Sequence, residues 1–160
     1  MILQNIQSSV VLGASVYIGS PAVPAALVVN DSNQSTAGTG STAGNADGIV
    51  NEFSISIVSG TPFVLDCSAL TYLGVSVPAA HVVAIKIQNI SGGGTLTHGG
   101  GSNPLYATAP LPIETGGTFL WEALEHGGTG CPVAGGTKNL QITASTGTVV
   151  CELTIITRSA

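Results

Sequence analysis

The sequence predicts an all-β protein, an antiparallel β-sandwich of jelly-roll type with little or no helix. Three observations support this fold class. Apolar and polar residues alternate along most of the chain, which is typical of strands whose two faces meet different surroundings. Glycine-rich turn signals separate the alternating segments at the spacing of roughly 8–12 residues that is common in sandwiches and barrels. The chain also contains 22 glycines, and glycine costs about 1 kcal/mol at an interior helix position.

The clearest strand signal lies near the end of the chain, at residues 149–156. Alternation there predicts that Val149, Cys151, Leu153 and Ile155 line the core. Residues 81–90 are apolar in both alternating sets, which predicts a central strand with Val83, Ile85 and Ile87 on one face. Further strands are predicted at residues 9–18, 25–29, 52–58, 62–67, 95–98, 111–114, 117–123 and 139–144. Single helical turns are predicted at residues 68–73 and 121–126.

The length of the chain fits one domain, which we assign to residues 1–160. Residues 30–48 contain almost nothing to bury, and their composition predicts a flexible loop rich in Ser, Thr and Gly. Two arrangements of residues 1–29 are then open. They pack on their own domain, or they form an N-terminal arm on a neighbouring subunit, as in strand exchange.

Charge is scarce in this chain. Only 7% of the residues are charged, Lys and Arg together number 3, and the formal net charge is −5. Soluble domains usually carry about a quarter charged residues, so the composition favours a structural subunit covered by neighbours. Nucleic acid is not expected as a partner, because phosphate binding needs clustered basic side chains. No membrane contact is expected either, since the most apolar stretch, residues 22–29, is far shorter than the ~20 residues of a spanning helix. No secretory signal is expected, because the N-terminus has no basic region and no cleavage-like site after an apolar segment.

The three cysteines show no metal-binding spacing. Cys67 and Cys151 lie in strand-like segments and are predicted to be buried, where free Cys behaves as a small apolar residue. Cys131 lies between Gly130 and Pro132 and is predicted to be an exposed loop residue. Reduced cysteines would fit assembly in a cytoplasm.

No other polar residues form a recognisable site. His81 lies in a strand, and His98 lies at a strand end beside the glycines that follow it. Glu122 and His126 have the spacing of a metal-binding pair on one helical turn, with Glu125 beside them, but a closed site needs four ligands. Asp66 and Glu114 are isolated acids, and glycoside hydrolysis needs two facing carboxyl groups. We therefore predict a protein that is not an enzyme, with no catalytic, cofactor-binding or metal-binding residues and no cofactor.

The aromatic side chains allow one alternative. Phe119 and Trp121 are two residues apart, so they share a strand face, and we expect them to pack in the core. Loops around Tyr106 and Trp121 could instead present exposed rings to a sugar. A carbohydrate-binding or adhesin-like module is therefore the alternative function.

Several short segments follow one another in a characteristic order from residue 46 onward. They are Ala46-Asp47, residues 65–70 (LDCSAL), 81–89, Leu96-Thr97, Gly99-Gly100, 102–105 (SNPL), 116–120 (GGTFL), 140–142 and 154–156. In order and spacing they resemble a family of small virion-associated proteins of tailed bacteriophages, of unassigned function. Each segment alone is unspecific, and the chain departs from the family pattern in its long Ser/Thr/Gly segment and its cysteines.

This resemblance implies a β-sandwich virion component of the head decoration, cement or fibre kind, and it brings no catalytic residues. Low charge and a positive mean hydropathy of +0.48 agree with a surface that is covered in an assembly. The expected function is thus a non-enzymatic structural protein of a virion, present as a symmetric homo-oligomer, with a trimer favoured. Its expected partners are the major capsid protein or another virion protein, and its expected place of assembly is the host cytoplasm.

Overall fold

The chain folds as an all-β protein, which confirms the predicted fold class. The computed structural model describes residues 6–18, 25–39, 45–46, 48–72, 74–77, 79–109, 111–123 and 128–160. In these ranges the regular elements are strands apart from one 3-10 turn, Cys67–Ala69. The strands are β1 (Ile6–Ile18), β2 (Ala25–Thr39), β3 (Asn45–Ala46), β4 (Gly48–Val58), β5 (Phe63–Asp66), β6 (Thr71–Tyr72), β7 (Val75–Ser76), β8 (His81–Ser91), β9 (Leu96–His98), β10 (Thr118–Glu122), β11 (Cys131–Pro132), β12 (Asn139–Ala144) and β13 (Thr148–Arg158).

Two antiparallel sheets form the body of the described protein. The larger sheet has the order β10–β8–β13–β4, and β11 pairs with the first residues of β8. The smaller sheet has the order β5–β12–β9. Strand β8 has neighbours on both sides, so its prediction as a central strand is confirmed.

One hydrophobic core joins the two sheets. The buried residues of β12, Leu140 and Ile142, belong to the same cluster as Ile85 and Ile87 of β8. The core set predicted for the last strand is fully buried and is therefore confirmed: Val149, Cys151, Leu153 and Ile155 are each 0% exposed. Alternation placed these residues correctly because β13 has its neighbours on both edges and one face against the core.

A β-bulge changes the faces of β8. Ala84 pairs with Ile156, and Val82 pairs with Thr157, so Val83 is an extra residue between the two pairs. Val82 therefore joins the main core, whereas Val83 belongs with Ala84 to a second, smaller cluster. The prediction that Val83 shares a face with Ile85 and Ile87 is wrong for this reason.

The N-terminal strands form a separate antiparallel ribbon. β1 pairs with β2 from Ile6↔Ala37 to Ile18↔Ala25, and the end of β2 pairs in parallel with β3. The backbone of residues 30–39 thus differs from the predicted loop, because a strand ladder uses backbone groups and tolerates small polar side chains. Residues 40–44 and 47 of the predicted loop lie outside the described ranges. Ala46 of β3 is fully buried against Ala84 and Ile156, which anchors the ribbon's end on the larger sheet.

Several short elements differ from their predictions. Residues 111–114 make a single bridge, Leu96↔Ile113, instead of a strand. Trp121 and Glu122 complete β10 instead of starting a helical turn, and residues 124–126 lie outside the described ranges. The helical turn predicted at 68–73 is shorter and is the 3-10 turn Cys67–Ala69. The Ser68 N–H in this turn donates to the Asp66 carboxylate. β6, β7 and β11 have two residues each, which is too short for a periodic signal.

Candidate functional site

The outward side of the smaller sheet is free of charged side chains at its centre. Leu140 and Ile142 of β12 point to the core, so Gln141 and Thr143 between them point outward. Their neighbours across the sheet are Val64 on β5 and Thr97 on β9. We call these four residues, Val64, Thr97, Gln141 and Thr143, the neutral face.

The neutral face is partly apolar and internally bonded. Val64 is 51% exposed, and the hydroxyl groups of Thr97 and Thr143 form a hydrogen bond with each other. Because these two hydroxyl groups are hydrogen-bonded to each other, they lose fewer hydrogen bonds to water on burial, which lowers the free-energy cost of covering them with another protein surface.

One ion pair borders this face. Lys138 Nζ donates to Asp66 Oδ2 at 2.6 Å, and the Ser68 N–H donates to Asp66 Oδ1 at 2.9 Å. The hydrogen bond from Lys138, followed by those from Ser68, lowers the pKa of Asp66 to about 2. This isolated acid thus has a structural partner, and its charge is neutralised locally at neutral pH.

Arg158 is buried although it carries a charge. It is 3% exposed, and its guanidinium donates to the carbonyl oxygens of Thr129 at 2.8 Å and Gly128 at 3.3 Å. Its side chain ties the segment before β11 to the end of β13. The chain has three cations. Lys138 is bound in an ion pair and Arg158 is buried, whereas Lys86 on β8 is half-buried and forms no ion pair among the described residues.

His98 is part of a buried polar pair. It ends β9, is 1% exposed, and its Nδ1 lies 2.8 Å from the Tyr106 hydroxyl oxygen. The ring of Phe119 lies against the imidazole with a centroid distance of 4.0 Å. Nε2 has no hydrogen-bond partner in the described part of the chain. Burial lowers the pKa of His98, so the imidazole is neutral at pH 7.

The glycines after His98 allow this pair to form. Gly99 has φ +81°, and a Cβ at this position would lie 2.7 Å from the Tyr106 ring. The Gly100 N–H donates to the Tyr106 carbonyl oxygen at 2.9 Å. This glycine loop therefore holds residues 102–109 against β9, which is a structural role.

The cysteines are free and poorly suited to nucleophilic chemistry. Cys67 and Cys151 are buried, as predicted, and desolvation raises their pKa to about 12 and about 11. Cys131 is half-buried and begins β11, so its prediction as an exposed loop residue is wrong. Burial raises the pKa of Cys131 as well. Reactive cysteines need the thiolate, which all three disfavour at neutral pH.

The acidic and histidine candidates do not come together where the structure describes them. Glu122 is on β10, and Glu125 and His126 lie outside the described ranges. Glu114 is exposed in the turn before β10, and His81 is half-buried at the start of β8. Among the described residues, no group of three or more His, Cys, Asp or Glu could hold a metal ion.

The aromatic candidates pack inward. Phe119, Trp121 and Tyr106 are partly buried against the main core, which confirms the core role predicted for Phe119 and Trp121. Tyr106 and Trp121 are both partly buried, and the Tyr106 hydroxyl is bound to His98, so neither is a fully exposed flat ring of the kind that stacks on a sugar. The positions of these rings argue against the carbohydrate-binding alternative.

Asn89 is a structural residue that the sequence pattern did not single out. It is fully buried on β8, and its Nδ2 donates to the carbonyl oxygens of Gly94 at 2.8 Å and Ile113 at 3.0 Å. Its backbone carbonyl accepts from the Gly116 N–H at 2.8 Å. Asn89 therefore fastens two turns to the central strand. The sequence feature that could have identified Asn89 is its position as a polar residue inside the apolar 81–90 segment.

Comparison with protein-family models, curated proteins and solved structures finds no match to this chain. In the described residues, no helix is long and apolar enough to cross a membrane.

Proposed function

We propose that this chain is a non-enzymatic structural component of a bacteriophage virion, a capsid decoration, cement or head-fibre protein. It assembles as a symmetric homo-oligomer, with a trimer favoured, and contacts the major capsid protein or another virion protein. The location proposed for the mature protein is the virion, after assembly in the host cytoplasm.

The scarcity of free charge on the described surface is the observation that carries this proposal. Arg158 is buried and Lys138 is bound to Asp66, so most of the few cations are already used within the fold. Surfaces that face water alone usually carry many charged side chains of both signs. Neutral surface costs less to desolvate than charged surface, which favours covering it with another subunit.

Exposed aliphatic side chains at separate places support the same proposal. Val64 lies on the neutral face, and Leu111 is 76% exposed in the segment before β10. Val58 (51% exposed) pairs with Thr148 at the start of β13. Ile90 (40% exposed) lies on β8, at the register shift where β8 pairs with the opposite edge of β13. Apolar groups beside neutral polar ones are typical of surfaces that bind other proteins.

The protein composition of purified phage particles tests the proposal. Particles of the phage that encodes the chain are banded on a density gradient and quantified by mass spectrometry. We expect the chain to band with the particles at a fixed ratio to the major capsid protein. Its presence in the lysate and absence from the banded particles would overturn the proposal.

A further inference from the structure

The β1–β2 hairpin has two long free edges in the described part of the chain. β1 pairs over its 13 residues with β2 and with no other described strand. Beyond β1, the only described strand that pairs with β2 is β3, at Gly38 and Thr39. In an antiparallel pair, alternate residues direct their N–H and C=O groups away from the partner. Each strand of the hairpin therefore presents an outward row of backbone donors and acceptors.

Other edges of the described sheets carry features that limit further pairing. In the smaller sheet the edge strands are short, with four residues in β5 and three in β9. In the larger sheet β10 has five residues, and β4 is interrupted by a register shift opposite Cys151 and Leu153. Short edge strands, bulges, charges and prolines are the usual protections of a sheet edge.

The hairpin lacks these protections. Its register runs without a shift from Ile6↔Ala37 to Ile18↔Ala25. Neither strand contains proline, and Asp31 is the one charged residue in the two sequences. A long, regular and nearly uncharged edge is a template for pairing with another strand.

We propose that these edges are the contact between copies of this chain, with β1 of one copy pairing with β2 of the next in a closed ring. The proposal rests on the homo-oligomer proposed above and names its interface. With the symmetry axis along the strands, every neighbouring pair in the ring is antiparallel, because β1 and β2 alternate around it. Three hairpins give a ring of six strands.

The matched edges identify a second copy as the partner. Among the described strands, each hairpin leaves one β1 edge and one β2 edge unpaired over the same paired length. Further copies satisfy both edges at once, and ring closure leaves none free. A single strand from a different protein would satisfy one edge and leave the other open.

Amide hydrogen exchange on the unmodified protein tests the interface without any mutation. A hairpin alone protects alternate amides of β1, those that donate to β2. A closed ring also protects the intervening amides, so we expect slow exchange at consecutive residues along β1, measured by NMR. Protection at alternate residues in a protein that is oligomeric would overturn this interface and leave the proposed function standing. A monomeric protein would overturn both.

Charge substitution provides a second, independent test. The Val11→Lys/Leu12→Lys double variant adds two like charges to β1 of every copy, and lysines on an edge strand oppose its pairing with a further strand. We expect this variant to lose the oligomer in light scattering after size exclusion. Ala69→Lys/Ala134→Lys, at two exposed positions outside the hairpin and outside the neutral face, is the matched control and should retain the oligomer. Equal masses for the hairpin variant and the unmodified protein, or dissociation of the control, would contradict the proposal.

Discussion

At the scale of single residues, the buried polar groups make the most specific predictions. His98 lies in the core with Nδ1 bonded to Tyr106 and no partner at Nε2 among the described residues. The described groups around it are the Tyr106 hydroxyl and the Phe119 ring, and neither supplies a negative charge at neutral pH. Protonation of the folded imidazole is therefore opposed by desolvation, and it is easier in the unfolded chain.

Stability should fall in acid because of His98. Its pKa is lowered from 6.5 in the folded state, so the stabilisation is complete above about pH 6.5 and is lost as the pH falls from there to the folded pKa. The slope contributed by one such group is about 1.4 kcal/mol per pH unit within that window. Urea unfolding from pH 7.5 to 5 should show it. His98→Gln keeps a polar partner for Tyr106 and should flatten the slope, and an unchanged slope would count against this explanation.

Asn89 should be costly to replace. Asn89→Ala removes the donor from two carbonyl oxygens, Gly94 and Ile113, and leaves a small cavity. We expect a loss of about 3 kcal/mol in the free energy of unfolding. Gln88→Ala, on the half-buried outward side of the same strand, should change stability by less than about 1 kcal/mol. Similar losses for the two variants in chemical denaturation would show that the amide does not fasten the turns.

At the scale of elements, the turn between β8 and β9 depends on how closely it approaches β13. Gly92 has φ +116°, and a Cβ there would lie 2.2 Å from the Thr148 carbonyl oxygen. Gly93 also has a positive φ, +69°, but a Cβ there meets nothing within 4 Å. The two glycines thus separate the effect of backbone conformation from the effect of a steric clash.

Alanine at these two positions should therefore have unequal effects. Gly93→Ala should lower the free energy of unfolding by about 1 kcal/mol, because alanine is strained in the left-handed conformation. Gly92→Ala also forces the turn away from β13, and we expect at least about 2 kcal/mol of additional destabilisation. Thermal unfolding of both variants measures the difference. Equal melting temperatures would mean that the turn moves freely from β13.

The strands that the sequence predicts well have one face against the core. β12 was predicted with the observed bounds, and β13 with the correct buried set, because alternation reports burial directly. The face of Val83 was missed because a bulge follows from pairing with Ile156 and Thr157, which are distant in sequence. The β2 strand beyond residue 29 was missed because its polar composition gives no burial signal, although its backbone pairs with β1.

The candidate site shows the same division. The inward position of Trp121 and Phe119 followed from their spacing on one strand face. The His98–Tyr106 bond did not, since it depends on a glycine loop that brings residues 102–109 back to β9. The scarcity of charge predicted a surface covered by neighbours, but not the neutral face itself, whose members come from three strands with a pairing that the sequence does not state.

At the scale of the whole molecule, the fold shows where the few charged side chains lie. The chain has 3 basic residues, and in the fold Arg158 is inside while Lys138 is used in a local ion pair. What remains outside the core includes a neutral face, exposed aliphatic side chains and the edges of a long hairpin. These features lead to a single expectation, that the protein works as part of an assembly of identical subunits.

The mass of the purified protein in solution tests this expectation most directly. Sedimentation equilibrium over a wide concentration range should give a constant mass that is a whole multiple of 15.8 kDa, with three times that value favoured. The oligomer should persist at high salt, because neutral surfaces and backbone pairing depend little on screened charges. A stable monomer of 15.8 kDa at all concentrations would contradict the account.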